Sequence, residues 1–214
     1  TSGIGFFVPG NGNEYGNYEK FLPGAYSLGD ILNDLGYNQT ILIGSEAEFA
    51  GRKDYFEQHG NFTIKDYKYA KNKGWIDDDY YVWWGYEDSK LFEFAKNELL
   101  ELSSKDEPFN LTLLTTNTHH IGGYLEESCE IKYDEQLKNV VLCSDKQVFE
   151  FVEWIKKQDF YENTTIVITG DHLSMEPTFF NNIQPYQRTN YNVFINSAKK
   201  AENMKNRSFN SMDI

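Results

Sequence analysis

Two segments of this 214-residue chain run from apolar residues straight into residues that can do chemistry. In "NTTIVITGDHLSMEP" (163–177), Ile166, Val167 and Ile168 lead through Thr169–Gly170 to Asp171 and His172, side by side. In "FNLTLLTTNTHHIGGY" (109–124), Leu111–Leu114 lead to His119 and His120. A carboxylate oxygen and an imidazole nitrogen are ligands for Zn²⁺ or Mn²⁺. Each feature has a plain structural explanation, since Gly-Asp is ordinary turn chemistry and a histidine can simply be a satisfied surface residue. Taken together they say more. Three of the chain's four histidines follow these two apolar runs. Open α/β sheets bind ligands just outside the carboxyl ends of their strands. Two strands bringing His and Asp to one sheet edge point to a metal or phosphate site.

The elements that must position these residues alternate. "SLGDILNDLG" reads as a helix with Ser27 as N-cap, Asp30 three on in a near capping box, and Gly36 as its stop. "TILIGS" (40–45) reads as a strand. "DSKLFEFAKNELLELSSK" reads as a helix with Leu91, Phe94, Ala95, Leu99 and Leu102 near helical spacing. "FNLTLL" and "TTIVITG" are strands, and "YNVFIN" (191–196) a fourth. In "SDKQVFEFVEWIKKQ", Ser144 and Gln147 form a capping-box pattern, with Val148, Phe151, Val152 and Ile155 on one face. The segment 60–88 is aromatic-rich and irregular, and reads as a functional loop or an insertion. This alternation predicts an α/β fold with a mostly parallel sheet and helices on both faces. The length suits one domain spanning 1–214.

Composition narrows the function. There are 33 acidic and 20 basic residues, a formal charge of −13. A nucleic-acid partner is excluded as an expectation, because phosphate backbones need a basic surface. No run of about 18 apolar residues marks a membrane span. Neither Cys129 nor Cys143 sits in a C-x-x-C pair, which argues against a cysteine zinc site. They are either free thiols or a disulfide, and their polar, loop-like stretch favours the disulfide and an oxidising setting. Five N-x-S/T sequons occur, at Asn38, Asn61, Asn110, Asn163 and Asn206. They carry weight only in a source that glycosylates.

The segments "LTLLTTNTHHIGGY" and "CSDKQVFEFVEWIKKQDFYENTTIVITGDHLSM" resemble the catalytic domain of phosphoglycerol transferases of the lipoteichoic-acid-synthase and osmoregulated-glucan type, within the alkaline phosphatase/sulfatase superfamily. "LGDILNDLGYNQTILIGSEAEFAGRKDYFEQHG", "WWGYEDSKLFEFA" and "NRSFNSMDI" are similar to further parts of that family. The resemblance implies an extracytoplasmic catalytic domain on a membrane-anchored bacterial parent, here cut at both ends. It implies a divalent metal, Mn²⁺ before Mg²⁺ or Zn²⁺, held by Thr1, Asp171 and His172. Thr1 would be the nucleophile and His119 the histidine facing the substrate phosphoryl group. His120 would orient its neighbour or touch substrate. Arg52 would clamp phosphate, against a surface-charge reading held about even. Trp84 would wall the glycerol, against ordinary packing. Thr1 lies two residues before Gly3, where the glucan-type pattern spaces three. The nucleophile is therefore Thr1 or a residue preceding it, and the family's upstream acidic ligand is expected before Thr1.

The implied reaction moves glycerol phosphate from a phospholipid head group, phosphatidylglycerol, to a cell-envelope glycan or polyglycerol phosphate, with the enzyme a monomer. A phosphodiesterase, phosphatase or phosphoethanolamine transferase of the same superfamily is the enzymatic alternative. A glycan- or head-group-binding module without catalysis is the other. Sulfate-ester cleavage is disfavoured, because neither cysteine stands in a C-x-P-x-R context.

Overall fold

The computed structural model describes residues 20–176, 179–180, 188–203 and 205. Thr1, Asn206 and the segment "NRSFNSMDI" lie outside the described residues. The chain forms two compact units that divide between Asn117 and Thr118.

The first unit is built on a parallel sheet. Strand β1 (Asn38–Ile43) lies between β2 (Thr63–Lys65) and β3 (Phe109–Leu114), both parallel to it. The register runs from Asn38 opposite Phe109 to Ile43 opposite Leu114. Side chains alternate along β1, so each face meets its own helices. The Gln39, Ile41 and Ile43 side faces α1 (Leu28–Asp34) and α2 (Arg52–Gln58). There Gln39 donates to Gly29 O and Gly60 O, and Ile41 and Ile43 pack with Phe56 and Phe62. The opposite side faces α4 (Asp88–Ser103): Thr40 donates to Glu98 Oε1 at 3.0 Å, and Glu98 pairs with Lys65. Leu91, Ala95, Leu99 and Leu102 of α4 are all buried, in line with their spacing. Each such leucine contributes about 1.5–3 kcal/mol of transfer free energy, so this stripe fixes how α4 lies.

Local signals set the ends. Ser27 and Asp30 form the full reciprocal capping box of α1. Gly36, at φ +79°, turns the chain out of the helix. Within 60–88 the structure differs from the expectation of a loop. That segment supplies the edge strand β2 and the short helix α3 (Tyr67–Asn72), capped by Asp66. Three residues of strand carry too little alternation to be read as one.

The second unit holds α5 (Gln136–Ile155), β4 (Ile166–Thr169) and β5 (Asn192–Ile195). Helix α5 begins eight residues before Ser144, so Ser144 and Gln147 are interior and cap nothing. The physical reason is that Leu137 and Val140 extend the buried face by two turns. Strand β5 pairs antiparallel with β4. No helix intervenes between them among the described residues, and parallel pairing needs such a crossover. Cys129 and Cys143 form a disulfide. Cys143 sits on α5, not in the loop-like stretch read from its neighbours.

Candidate active site

In the second unit the two chemistry-bearing turns have defined hydrogen bonding. His172 Nδ1 lies 2.8 Å from Leu173 O, which can only accept, so Nδ1 carries a proton. In the neutral ring this makes Nε2 the ligating nitrogen. Nε2 lies 3.4 Å from Asp171 Oδ2, while Asp171 Oδ1 accepts the His172 N–H at 2.8 Å. A tetrahedral cation with bonds near 2.0–2.2 Å holds adjacent donors about 3.4 Å apart. The two donors lie at that spacing. Both side chains are exposed, and no cluster of three or more His, Cys, Asp or Glu ligands occurs among the described residues.

His119 stacks on His120 at 4.5 Å, and its Nδ1 donates to His120 O at 2.6 Å. That bond fixes the ring's tautomer and directs Nε2 away from the backbone. His120 thus supports its neighbour through both its ring and its carbonyl. The turn continues through Gly122 and Gly123, both left-handed at φ +78° and +66°, a conformation that suits glycine. One hydrogen bond joins this turn to the other: Gly122 N–H donates to Glu176 Oε2 at 2.8 Å.

Helix α5 holds the segment after the histidines along one face. Gln136 donates to Gly122 O and Gly123 O at 3.1 and 2.8 Å. Asn139, 2% exposed, accepts from Lys132 N and Tyr133 N and donates to Tyr133 O. Cys143 carries the disulfide, and Gln147 donates to buried Glu126. Positions 136, 139, 143 and 147 share a helix face, so the stripe was visible in the sequence once α5 is started at Gln136. Glu176 had no sequence signal beyond its nearness to Asp171.

In the first unit, Arg52 and Trp84 gather beyond the carboxyl end of β1. Arg52 Nη2 donates to Ser45 Oγ at 3.2 Å and Glu46 O at 2.8 Å, and the guanidinium lies 5.3 Å from the Phe49 ring centre. Its Nε is buried with no hydrogen-bond partner among the described residues. Burial lowers the guanidinium's pKa, and the Asp66 charge opposes that shift. This is a positioned cation rather than a solvated surface charge. Trp84 is 41% exposed, tilted against Phe49 and edge-on to Trp83, each at 6.4 Å. Phe49, which the sequence reading passed over, is the aromatic that Arg52 and Trp84 share.

The loop behind them is tightly set. Asp88, 1% exposed, accepts from Thr116 N at 2.7 Å and Asn117 N at 3.2 Å, and Asn117 Oδ1 accepts from Asp88 N. Asp88, at the end of the stretch from Trp84, thereby anchors the exit of β3. A Cβ on Gly85, at φ +153°, would meet Gly44 O at 2.1 Å, so the two backbones pass where only glycine fits.

A match to the sulfatase family covers residues 8–214. The chain is 32% identical over 212 residues to phosphoglycerol transferase I of Xanthomonas campestris pv. campestris (strain B100), covering 96% of this chain and 30% of that protein. It is 31% identical over 218 residues to phosphoglycerol transferase I of Escherichia fergusonii, covering 99% of this chain and 28% of the relative. The chain thus spans under a third of these relatives' length. Among solved structures, a protein in the alkaline phosphatase superfamily from Vibrio parahaemolyticus matches at TM-score 0.63 and 26% identity, over 80% of this chain and 41% of that one. The lipoteichoic acid synthase LtaP from Listeria monocytogenes shares the fold at TM-score 0.64 and 21% identity, over 80% and 42%. No described helix is long and apolar enough to cross a membrane. The chain belongs to the sulfatase family, with the fold of the alkaline phosphatase superfamily.

Proposed function

We propose that the chain is the catalytic domain, as a monomer, of a membrane-anchored phosphoglycerol transferase that works on the extracytoplasmic face of a bacterial membrane. The observation that carries this reading is the Asp171–His172 pair, with donors 3.4 Å apart in a chain about a third identical to phosphoglycerol transferases I. The disulfide agrees with an oxidising compartment.

In this reading Asp171, His172 and Thr1 hold one divalent cation, Mn²⁺ before Mg²⁺ or Zn²⁺. When bound, it depresses the pKa of the Thr1 hydroxyl and offsets phosphoryl charge. Thr1 Oγ, its proton already lost to solvent, forms a bond to phosphorus of phosphatidylglycerol, and the bond from phosphorus to the diacylglycerol oxygen breaks. His119, held at Nδ1 by the His120 carbonyl, enters this step as the imidazolium, gives its Nε2 proton to that oxygen, and is left with an unprotonated Nε2. Diacylglycerol leaves, and glycerol phosphate remains on Thr1. A hydroxyl of a glycan or polyglycerol phosphate then attacks phosphorus, loses its proton to His119, and releases Thr1. Arg52 clamps phosphoryl oxygens, and Trp84 walls the glycerol.

The test uses the full-length enzyme and vesicles of phosphatidylglycerol labelled in the head-group glycerol. Metal-dependent release of diacylglycerol, with label moving to an added glycan, is the expected result. Label released only as free glycerol phosphate would make the chain a phosphodiesterase. No cleavage under any metal would leave a binding module.

A further inference from the structure

The Gly122 peptide is held from both sides. Its N–H donates to Glu176 Oε2 at 2.8 Å, on the turn that carries Asp171 and His172. Its carbonyl accepts from Gln136 Nε2 at 3.1 Å, and Gln136 also takes Gly123 O at 2.8 Å, from the first turn of α5. Gly122 lies two residues from His120, and Glu176 four from His172. The Glu176 turn is fixed on its other side, where Arg188 donates to Ser174 O and Gly170 N–H donates to Tyr191 O at 3.0 Å. The α5 end is fixed by Asn139, the disulfide and Gln147.

We propose that Glu176 and Gln136 are positioning residues, which clasp the Gly122 peptide and so set the distance between the His119–His120 turn and the Asp171–His172 turn. This peptide joins the two segments directly, with Gly123 buried beside it. A carboxylate that accepts a backbone N–H makes a charge-assisted bond, stronger than a neutral one. Outer contacts of this kind orient ligating side chains without touching the reacting atoms. Glu176 acts here as an acceptor, so an amide oxygen in the same place keeps the bond in weaker, uncharged form. The role of the clasp in turnover rests on the phosphoglycerol-transfer reading above. Its existence does not.

The test compares Glu176→Ala, Glu176→Gln and Gln136→Ala in the full-length enzyme. Two readouts are used: turnover of phosphatidylglycerol with Mn²⁺, and hydrogen–deuterium exchange of the peptide spanning residues 120–124. Glu176→Ala is expected to lower kcat about 10–100-fold with KM within twofold, and to speed exchange at Gly122 about tenfold. Glu176→Gln retains an amide oxygen in the same place and is expected to restore both readouts to within about threefold. Gln136→Ala gives a smaller loss in kcat, since backbone carbonyls tolerate water as a donor. Equal damage by Glu176→Gln and Glu176→Ala would overturn the proposal, because charge and not positioning would then be at work. Wild-type kcat in Glu176→Ala would overturn it as well. Should the wild type show no turnover, the transfer reading fails on its own, and exchange alone decides the clasp: unchanged exchange in Glu176→Ala refutes it.

Discussion

The carboxyl edge of β1 and the Asp171–His172 turn, the two places the proposed function draws on, have opposite kinds of support. At the β1 edge, Arg52 is held by two hydrogen bonds and an aromatic ring, with Asp88 and the Gly44–Gly85 crossing locking the loop behind it. At the other turn, Asp171 and His172 bond mainly to each other and to adjacent backbone, and both are exposed. The difference teaches where rigidity is spent. If Arg52 clamps a substrate anion, as proposed, it must be aimed before substrate arrives. On the proposed reading, the exposed Asp171 and His172 side chains are drawn into their final geometry by the ion, while backbone contacts such as Gly122 to Glu176 hold their turn.

This contrast has measurable edges. The largest stability effect is expected for Gly85→Ala, whose Cβ would meet Gly44 O at 2.1 Å at a φ that disfavours side chains. Backbone must move there, at a cost of about 4 kcal/mol or more, read as a large fall in Tm or as insoluble protein. Asp171→Ala, in contrast, should leave the metal-free Tm within about 2 °C of the wild type, since surface changes usually lie within ±0.5 kcal/mol. A metal-free Tm that drops as far in Asp171→Ala as in Gly85→Ala would erase the distinction between the two regions.

The next effect is redox. Replacing Cys129 and Cys143 by Ser, or reducing them, should cost the second unit about 3 kcal/mol and lower the denaturant midpoint, the scale expected for closing so short a loop. The first unit holds neither cysteine, and exchange protection of β1 should be unchanged.

The smallest effect is in acid. Burial pushes the Glu87 carboxyl up, but hydrogen bonds from Tyr80 and Lys90 outweigh it and carry its pKa below the ordinary value of 4.5. A depressed folded pKa means that the unfolded chain binds the proton more readily. Glu87 therefore stabilises the fold above pH 4.5, and that contribution is lost as pH falls through its folded pKa. Glu87→Gln should flatten the acid limb of the stability curve and leave neutral-pH activity near wild type. An unchanged acid limb would show that the Tyr80 and Lys90 contacts carry no linkage.

Much of this was legible in the sequence, for identifiable reasons. The buried strand "TILI" and the stripe from Leu91 to Leu102 follow periods that burial enforces. Ser27 and Asp30 read as a cap because their side chains satisfy amides that nothing else reaches. Other features were hidden by locality. Strand β2 is three residues long, and its pairing with β1 comes from sequence-distant contacts. Ser144 and Gln147 mimic a helix start, while the true start at Gln136 has no side-chain cap of its own. Glu176 reaches Gly122 across 54 residues, a contact no local pattern encodes. Arg52, held about even between clamp and surface charge, became a positioned cation only once Ser45, Glu46 and Phe49 were seen around it.

The most direct measurement is metal content and phosphatidylglycerol cleavage in the full-length enzyme, stripped with a chelator and reloaded with Mn²⁺, beside Asp171→Ala and His172→Ala. The expected result is stoichiometric metal and restored turnover in the wild type. Both variants should lose metal and fall by at least about 100-fold in kcat/KM, the scale of removing a direct ligand rather than an outer contact. Turnover that survives both substitutions, or a wild type that binds no metal and cleaves nothing, would contradict the assignment of Asp171 and His172 as the metal-holding pair.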